Sequence, residues 1–182
     1  MSRLRSTLAA IAVLACTAAA SSSAHAACAG ADLMPAAANG AKIRSATLCL
    51  LNAQRRAYGL RPVRANSRLR RAAAGYARMM VRDRFFAHEG PDGSTPVSRI
   101  KHTHYLDRAR AWTIGENLAW GTGSFATPRS TVRAWMHSPG HRANILNGAF
   151  REIGIGVATG APVQVDAASA GATYATDFGA RG

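Results

Sequence analysis

The sequence predicts an α+β sandwich. Between about residues 45 and 146, apolar side chains recur at the spacing of three to four residues that is typical of α-helices. Residues 153–157 and 174–178 instead alternate with a period of two, which is the period of a β-strand. Because the helices come first and the strands last, the order favours an α+β sandwich over a sheet built from βαβ units.

Residues 1–26 predict an export signal. A positively charged start is followed by an apolar run over residues 8–15 and by Ala-His-Ala at 24–26, which is a cleavage pattern. The run is too short to span a bilayer, for which about 20 apolar residues are needed. An alternative is a lipoprotein box over residues 13–16, in which Cys16 would be lipidated and tether the chain to a membrane. We expect an exported protein, periplasmic or extracellular, with cleavage and release favoured over tethering.

The chain is strongly basic. Its 182 residues include 23 Lys and Arg against 9 Asp and Glu, a formal net charge of +14. The arginines are scattered, and no basic and aromatic binding motif accompanies them, so we expect a solvated surface and no specific nucleic-acid partner. Attraction to anionic envelope polymers or lipid headgroups still follows from the charge. We expect a monomer.

Cysteine usage agrees with export. Once residues 1–26 are removed or Cys16 is lipidated, Cys28 and Cys49 remain. An even count in an oxidising compartment predicts a disulfide that would staple the first mature residues onto the helix carrying Cys49. Two unpaired thiols are the alternative.

The first half of the mature chain predicts two helices. After an alanine-rich lead-in over residues 27–44, residues 45–58 place apolar side chains on one face, and Gly59 ends the helix. The second helix begins after Asn66 or Ser67, either of which can cap it. Its predicted core face consists of Leu69, Ala72, Ala73, Tyr76, Met79 and Met80. Its predicted solvent face carries Arg68, Arg71, Arg78 and Arg82.

A short third helix is predicted over residues 96–105. Val97, Ile100 and His104 would share one of its faces. Residues 106–114 are charged and irregular, and we expect a surface loop there.

Two more helices are predicted before the C-terminal strands. A cap residue followed by proline begins each of them, at Thr127 and at Ser138. The first would bury Val132, Trp135 and Met136, and the second would carry His141 in its first turn.

Three separated segments carry most of the polar chemistry, and each is expected to lie at a helix end: residues 85–88 (Phe-Phe-Ala-His), 115–119 (Gly-Glu-Asn-Leu-Ala) and 135–146. They supply two imidazoles, His88 and His141, and one carboxylate, Glu116. Such a set can bind a zinc-like cation with an open position, or it can act as a general base and its orienting group. Each residue taken singly can also be an ordinary hydrogen-bonding residue.

The segments together resemble the CAP superfamily of cysteine-rich secretory proteins, antigen 5 and plant pathogenesis-related type one proteins, in its bacterial SCP-like extracellular branch. The run Ser-Pro-Gly-His-Arg-Ala-Asn-Ile-Leu of that branch is matched residue for residue over 138–146. The resemblance covers about residues 45–179 and also rests on residues 50–55, 85–88, 115–119 and 152–157. It implies a three-layer α-β-α sandwich and places a CAP domain over residues 45–182, after the signal at 1–26 and the lead-in at 27–44.

The resemblance also implies a cleft. In eukaryotic members of the family, two histidines and two acidic residues line it and bind divalent cations such as zinc in some cases. His88, Glu116 and His141 match three of these four positions. Asn117 and Asn144 are expected to hold the loops of the ligand cleft by bonding to the backbone.

The fourth position of the cleft departs from the family. Its second acidic residue follows a tryptophan like Trp135, but Met-His-Ser occupies residues 136–138. A bound dication would lose one negative ligand, so its affinity should fall, although His137 can substitute for a softer metal. Zinc or another divalent cation held by His88, Glu116 and His141 therefore remains an expectation of the resemblance alone.

Three functions compete on the sequence. The favoured one is a secreted binding module whose cleft holds an amphiphile, a peptide or a cell-envelope component. The alternative is a metal-assisted, peptidase-like hydrolase in which His88, Glu116 and His141 would be the catalytic candidates. The chain has neither a Gly-x-Ser-x-Gly elbow nor a His-Glu-x-x-His helix, which favours binding. Nucleic-acid binding rests on charge alone and ranks last.

Overall fold

A computed structural model describes residues 28–165 and 170–182. The predicted export signal and Cys16 lie outside these residues. Five α-helices, two short 3-10 helices (Ala37–Asn39 and Gly123–Ala126) and four strands make up the described part. The helices are α1 (Gly40–Ala57), α2 (Ser67–Asp83), α3 (Pro96–His102), α4 (Pro128–His137) and α5 (Pro139–Ile145). The strands are β1 (Arg64–Ala65), β2 (Trp112–Thr122), β3 (Glu152–Thr159) and β4 (Gly171–Arg181).

The four strands form one sheet in the order β1-β3-β4-β2. β4 pairs antiparallel with both β2 and β3, and the short β1 runs parallel to β3. β4 is the central long strand, and its residues 171–179 are all buried because helices cover both faces of the sheet.

Helices on both faces complete the predicted α-β-α sandwich. One face packs against α2, through Ala73, Tyr76 and Met80. The other face packs against α1 and α4, with Leu51 and Trp135 among the largest buried side chains. The α+β prediction and the three-layer arrangement are therefore confirmed.

Two glycines let α2 approach the sheet closely. Gly154 and Gly156 lie on β3 directly beneath α2, and a Cβ on either one would overlap the helix backbone, at Leu69 for the first and at Ala73 for the second. The alternation of glycine with larger residues in this strand thus has a packing cause: the glycine face meets a helix backbone and not side chains.

The buried guanidinium of Arg55 joins α1 to the segment after α5. It donates to the carbonyl oxygens of Ile145 at 2.7 Å and Asn147 at 3.0 Å. Its Nε donates to Arg61 O at 2.9 Å. Burial, and next the charge of Arg151, lower the pKa of Arg55. Because these acceptors are backbone carbonyls, the contacts hold loops in place without an acidic partner.

The N-terminal lead-in is held covalently and by an ion pair. Cys28 and Cys49 form the predicted disulfide. Asp32 accepts two hydrogen bonds from Arg129 of α4, at 2.7 and 2.9 Å. The lead-in is therefore tied to both α1 and α4.

Several predicted elements need correction. Helix α1 begins at Gly40, five residues before the predicted start at 45, because Ile43 continues its buried face upstream through an alanine-rich stretch that has little pattern of its own. Helix α3 ends at His102 and not at 105. His104 lies beyond it with a φ of 63°, exposed and off the predicted face, while Tyr105 turns inward and donates to Glu152 at 2.8 Å.

The largest error concerns residues 106–119. Residues 115–119 do not end a helix, since they lie inside β2, which begins at Trp112 within the predicted surface loop. Leu106 of that loop is buried. The two-residue β1 also went unpredicted because it is too short to show a period. No helix among the described residues is long and apolar enough to cross a membrane.

Candidate functional site

Strand β2 carries the central carboxylate of the site. Glu116 faces the α2 and α3 side of the sheet, and its side chain is only 2 % exposed. Its Oε1 lies 2.8 Å from Nδ1 of His88, and its Oε2 accepts a hydrogen bond of 2.8 Å from Arg99. Both carboxylate oxygens therefore already have cationic or hydrogen-bonding partners.

Arg99 of α3 holds this part of the site together. In addition to Glu116, it donates to the carbonyl oxygens of His88 at 3.0 Å and Ser94 at 2.9 Å. Its guanidinium carbon lies 3.3 Å from the ring centroid of Tyr76, a cation–π contact. The hydroxyl of Tyr76 in turn donates to Ala87 O at 2.6 Å. Contacts with α2 and α3 thus hold the loop that carries His88.

The second imidazole is positioned by two asparagines. His141 lies in the first turn of α5, and its carbonyl oxygen accepts a 3.0 Å hydrogen bond from Asn117 of β2. Asn144 donates to Asn117 Oδ1 at 2.9 Å and to Glu116 O at 3.1 Å. These bonds join α5 to β2, and His141 lies close enough to His88 for the charge of His88 to affect its pKa.

The two imidazoles have opposite electrostatic environments. The hydrogen bond with Glu116 raises the pKa of His88 above its ordinary value, against the opposing effect of burial. Burial, and next the charge of His88, lower the pKa of His141. His88 therefore holds its proton to a higher pH than His141 does, so the two imidazoles differ in their tendency to donate and to accept hydrogen bonds.

These pKa directions predict the order in which the two histidines titrate. By NMR, His88 should titrate above an ordinary histidine and His141 below it. In a Glu116→Gln variant His88 should return toward its ordinary value, because the carboxylate is gone. The contribution of His88 to stability should be complete below the pKa of an unfolded histidine and be lost as the pH rises through its raised pKa. The contribution of His141 has the opposite sign, because stability is lost as the pH falls through the ordinary value toward the lowered one. The reverse titration order would contradict this geometry.

A second carboxyl group, missed by the sequence analysis, lies beside Glu116. Asp177 of β4 is the direct cross-strand partner of Glu116 and is 1 % exposed. Burial, and next the charge of Glu116, raise the pKa of Asp177 well above its ordinary range, although Arg99 opposes this. Its Oδ1 and the Nε of Arg99 are buried without a hydrogen-bond partner among the described residues. Residues 136–138, where the resemblance would put the family's second acid, hold none, and the carboxyl group beside Glu116 comes from the last strand.

Replacing Asp177 with asparagine should stabilise the protein at neutral pH. Because the pKa of Asp177 is raised in the folded state, its contribution to stability is complete below the pKa of an unfolded aspartic acid. That contribution is lost as the pH rises from there toward the raised pKa. Asn keeps the shape and a hydrogen-bond donor without this loss. Urea unfolding of wild type and Asp177→Asn across the acidic to neutral range should show the two curves converging at low pH. A variant that is less stable than wild type at neutral pH would contradict the raised pKa of Asp177.

The donor set fits a metal ion poorly. Within residues 28–165 and 170–182, no three His, Cys, Asp or Glu side chains are grouped so that they could hold a cation. The reason is visible at Glu116, whose two oxygens face His88 and the permanent cation Arg99. His137 is exposed, and its Nδ1 lies 2.8 Å from Arg133 O on its own helix. Zinc therefore stays a prediction from the resemblance.

Comparison with known proteins agrees with this fold and with the order of the motifs. The model of the CAP, cysteine-rich secretory protein family matches residues 48–174, which include His88, Glu116 and His141. The chain belongs to the CAP family. The uncharacterized protein YkwD of Bacillus subtilis (strain 168) is 36 % identical over 107 residues, which are 59 % of this chain and 39 % of that relative.

Solved structures show the same CAP fold. An extracellular protein containing an SCP domain from Bacillus anthracis superposes with a TM-score of 0.58 at 22 % identity, over 76 % of this chain and 42 % of that one. An outer surface protein from Borrelia burgdorferi gives a TM-score of 0.56 at 23 % identity, over 74 % and 90 % of the two chains. This CAP-family chain thus spans about two fifths of YkwD and of the Bacillus anthracis protein.

Proposed function

We propose that this CAP-family chain is an exported binding module whose His88–His141 cleft holds a cell-envelope ligand with an anionic or hydrogen-bonding head. The observation that carries the proposal is the engagement of Glu116 by both Arg99 and His88. With the carboxylate buried and occupied, the imidazoles are the groups that remain for a ligand. The side chain of His88 is 55 % exposed, and its hydrogen bond with Glu116 raises its pKa.

A cavity with both apolar and polar lining residues lies beside the cleft and supports an amphiphile as the ligand. It has a volume of 520 Å³, lies between α2 and α3, and includes Ala72, Tyr76 and Met79 in its lining. Arg99 lines this cavity and also contacts Glu116, so the cavity and the cleft share one side chain. An amphiphile would place its apolar part against α2 and its head at the imidazoles.

Three further features support export. The Cys28–Cys49 disulfide requires an oxidising compartment. The net charge of +14 favours anionic envelope surfaces. The two structural neighbours are described as an extracellular and an outer surface protein.

Binding of a fluorescent long-chain carboxylate tests this proposal. The wild type should bind the probe without turnover, and the double variant His88→Ala/His141→Ala should bind it about tenfold more weakly, because charge-assisted hydrogen bonds are lost. His137→Ala is the matched control, since this histidine is exposed and bonded within its own helix. Equal affinity in the double variant and the wild type would reject the cleft as the binding site.

Hydrolysis is the second candidate, favoured by the 2.8 Å contact between Glu116 and His88 Nδ1. Such a carboxylate can orient an imidazole so that its Nε2 takes a proton from an attacking water. Peptide and ester substrates should nevertheless show no turnover above buffer. Cleavage that is sensitive to a chelator and disappears in Glu116→Gln would reverse the ranking of the two functions.

A further inference from the structure

The outer edge of β3 is open along most of its length. β1 covers only Glu152 and Ile153 of this edge, where Asn66 N–H donates to Ile153 O at 2.8 Å. Residues two apart on a strand direct their backbone groups to the same side, so Ile155 and Val157 point theirs outward as well. Among the described residues, no strand pairs with these two on that side.

Two adjoining cavities follow this open edge. One, of 230 Å³, lies against Ile153 and Ile155, and the other, of 340 Å³, lies against Val157 and Thr159. Arg44 of α1 lines both cavities, which together are called the edge groove below. Residues of β3 line the edge groove together with side chains of α1 and α2, and lead-in residues 35–37 flank the part beside Val157.

Arginines from both helices line the edge groove. Arg70, Arg78 and Arg82 fall at multiples of four residues along α2 and so share one side of that helix, while Arg44 comes from α1. Arg82 pairs with Asp83. In the part of the chain that the structure describes, the other three form no ion pair. Burial, and next the charge of Arg70, lower the pKa of Arg44. The groove therefore carries positive charge that the described residues leave unneutralised.

The opposite edge of the sheet is closed by side chains. On β2, the outward carbonyl of Glu116 accepts a hydrogen bond from Asn144, and that of Leu118 accepts one from the Trp135 indole at 2.9 Å. Within residues 28–165 and 170–182, no side chain donates to the backbone of Ile155 or Val157 in this way. Charged side chains are one of the means by which proteins protect edge strands. The arginines beside this edge repel a basic strand, such as one from a second copy of this chain, but attract an acidic one.

We propose that the edge groove binds an extended acidic peptide, which adds to the sheet beside β3. The peptide backbone would pair with the outward groups of Ile155 and Val157, and its carboxylates would neutralise Arg44, Arg70 and Arg78. This mode draws affinity from main-chain hydrogen bonds and specificity from side chains. A lipid headgroup or an acidic polysaccharide supplies the charge but no backbone amides, so a peptide uses more of what the groove offers. The site lies on the other edge of the sheet from the His88–His141 cleft and goes beyond the function proposed for it.

Backbone-blocked peptides give the sharpest test. The probe is a blocked peptide about six residues long that alternates glutamate and threonine, so that its carboxylates share one face. Two N-methylated isomers of this peptide are compared with it. One carries methyl groups on the backbone nitrogens of its odd-numbered residues, and the other carries them on those of its even-numbered residues. If the peptide pairs with β3, only the isomer whose methyl groups face the strand should lose affinity, by about tenfold or more. Equal binding by all three peptides would mean that the groove attracts them by charge alone, without backbone pairing, and would overturn the proposal.

Variants of the full, disulfide-bonded chain test the same site from the protein side. Val157→Pro removes an outward N–H at an edge position where proline is tolerated, and should weaken the parent peptide about tenfold. Arg44→Ala should weaken binding of the parent peptide about threefold at low salt. The control is Arg133→Ala, which removes an exposed arginine on α4 and should leave the affinity unchanged. A folded Val157→Pro protein with unchanged affinity would reject the pairing. If circular dichroism shows that this variant is unfolded, the N-methylated peptides on the wild type decide.

The cleft variants separate the two sites. His88→Ala/His141→Ala should keep full affinity for the acidic peptide even where it loses the long-chain carboxylate. Loss of peptide affinity in that double variant would place the peptide in the cleft and overturn the edge-groove assignment.

Discussion

Substituting alanine for Gly156 should lower the free energy of unfolding by about 3 kcal/mol, because the added Cβ would overlap the backbone of Ala73. Relief requires α2 to move away from the sheet, since no flexible side chain can yield at this contact. Urea denaturation followed by circular dichroism measures the loss. A shift of α2 would also disturb Tyr76 and, through it, Arg99.

Gly75→Ala is the matched control, with an expected effect of opposite sign. Gly75 lies within α2, and nothing stands within 4 Å of a Cβ placed there. Replacing a helical glycine by alanine stabilises by about 0.5–1 kcal/mol. If the variants at Gly75 and Gly156 were equally stable, the close approach of helix and strand would not be the reason for the glycine.

Glu116→Ala should lower the free energy of unfolding by about 3–5 kcal/mol, because it leaves Arg99 buried without its carboxylate. The side chain of Arg99 is 9 % exposed, so water cannot readily replace the lost partner. His88 should lose its raised pKa in the same variant. Urea denaturation and NMR titration measure these two effects separately.

Two further variants test whether the buried pair causes this loss. Asp107→Ala removes an exposed carboxylate that pairs with His104, and its effect should stay within about 0.5 kcal/mol. The double variant Glu116→Gln/Arg99→Met should recover much of the stability, because no isolated charge remains. A Glu116→Ala protein as stable as wild type would mean that the burial of Arg99 does not depend on Glu116.

The helices were predictable because their signals are local. Asn66 caps α2 through its side chain, as the sequence suggested, and Thr127 with Pro128 begins α4. The spacing also predicted the core face of α2, except that Met79 is half-buried and Ala77 is buried in addition. Such features depend on residues three or four apart, which a sequence shows directly.

β2 and Asp177 were not predictable in the same way. β2 is buried on parts of both faces and carries Gly115, Glu116 and Asn117 in its middle, so neither alternation nor apolar character marks it as a strand. Asp177 becomes a site residue only through register, because β4 places it opposite Glu116 across 61 positions of sequence. Local patterns contain no information on register between distant strands.

Arg99 illustrates the same limit within the site. It is one arginine in a chain with 23 basic residues, and nothing in the sequence of α3 distinguishes it. Its importance comes from burial among Tyr76, Glu116 and the loop carrying His88. The family motifs identified His88, Glu116 and His141. They did not identify Arg99, the side chain that positions His88 and Glu116.

The contacts of Arg99 have an evolutionary consequence. The guanidinium and the Glu116 carboxylate are each costly to bury alone, so a lineage cannot lose one and keep the other without losing stability. Aligned relatives should therefore retain both residues or replace both together. Where both are replaced, the histidine at position 88 also loses the carboxylate that raises its pKa, so those relatives should have an ordinary histidine in the cleft.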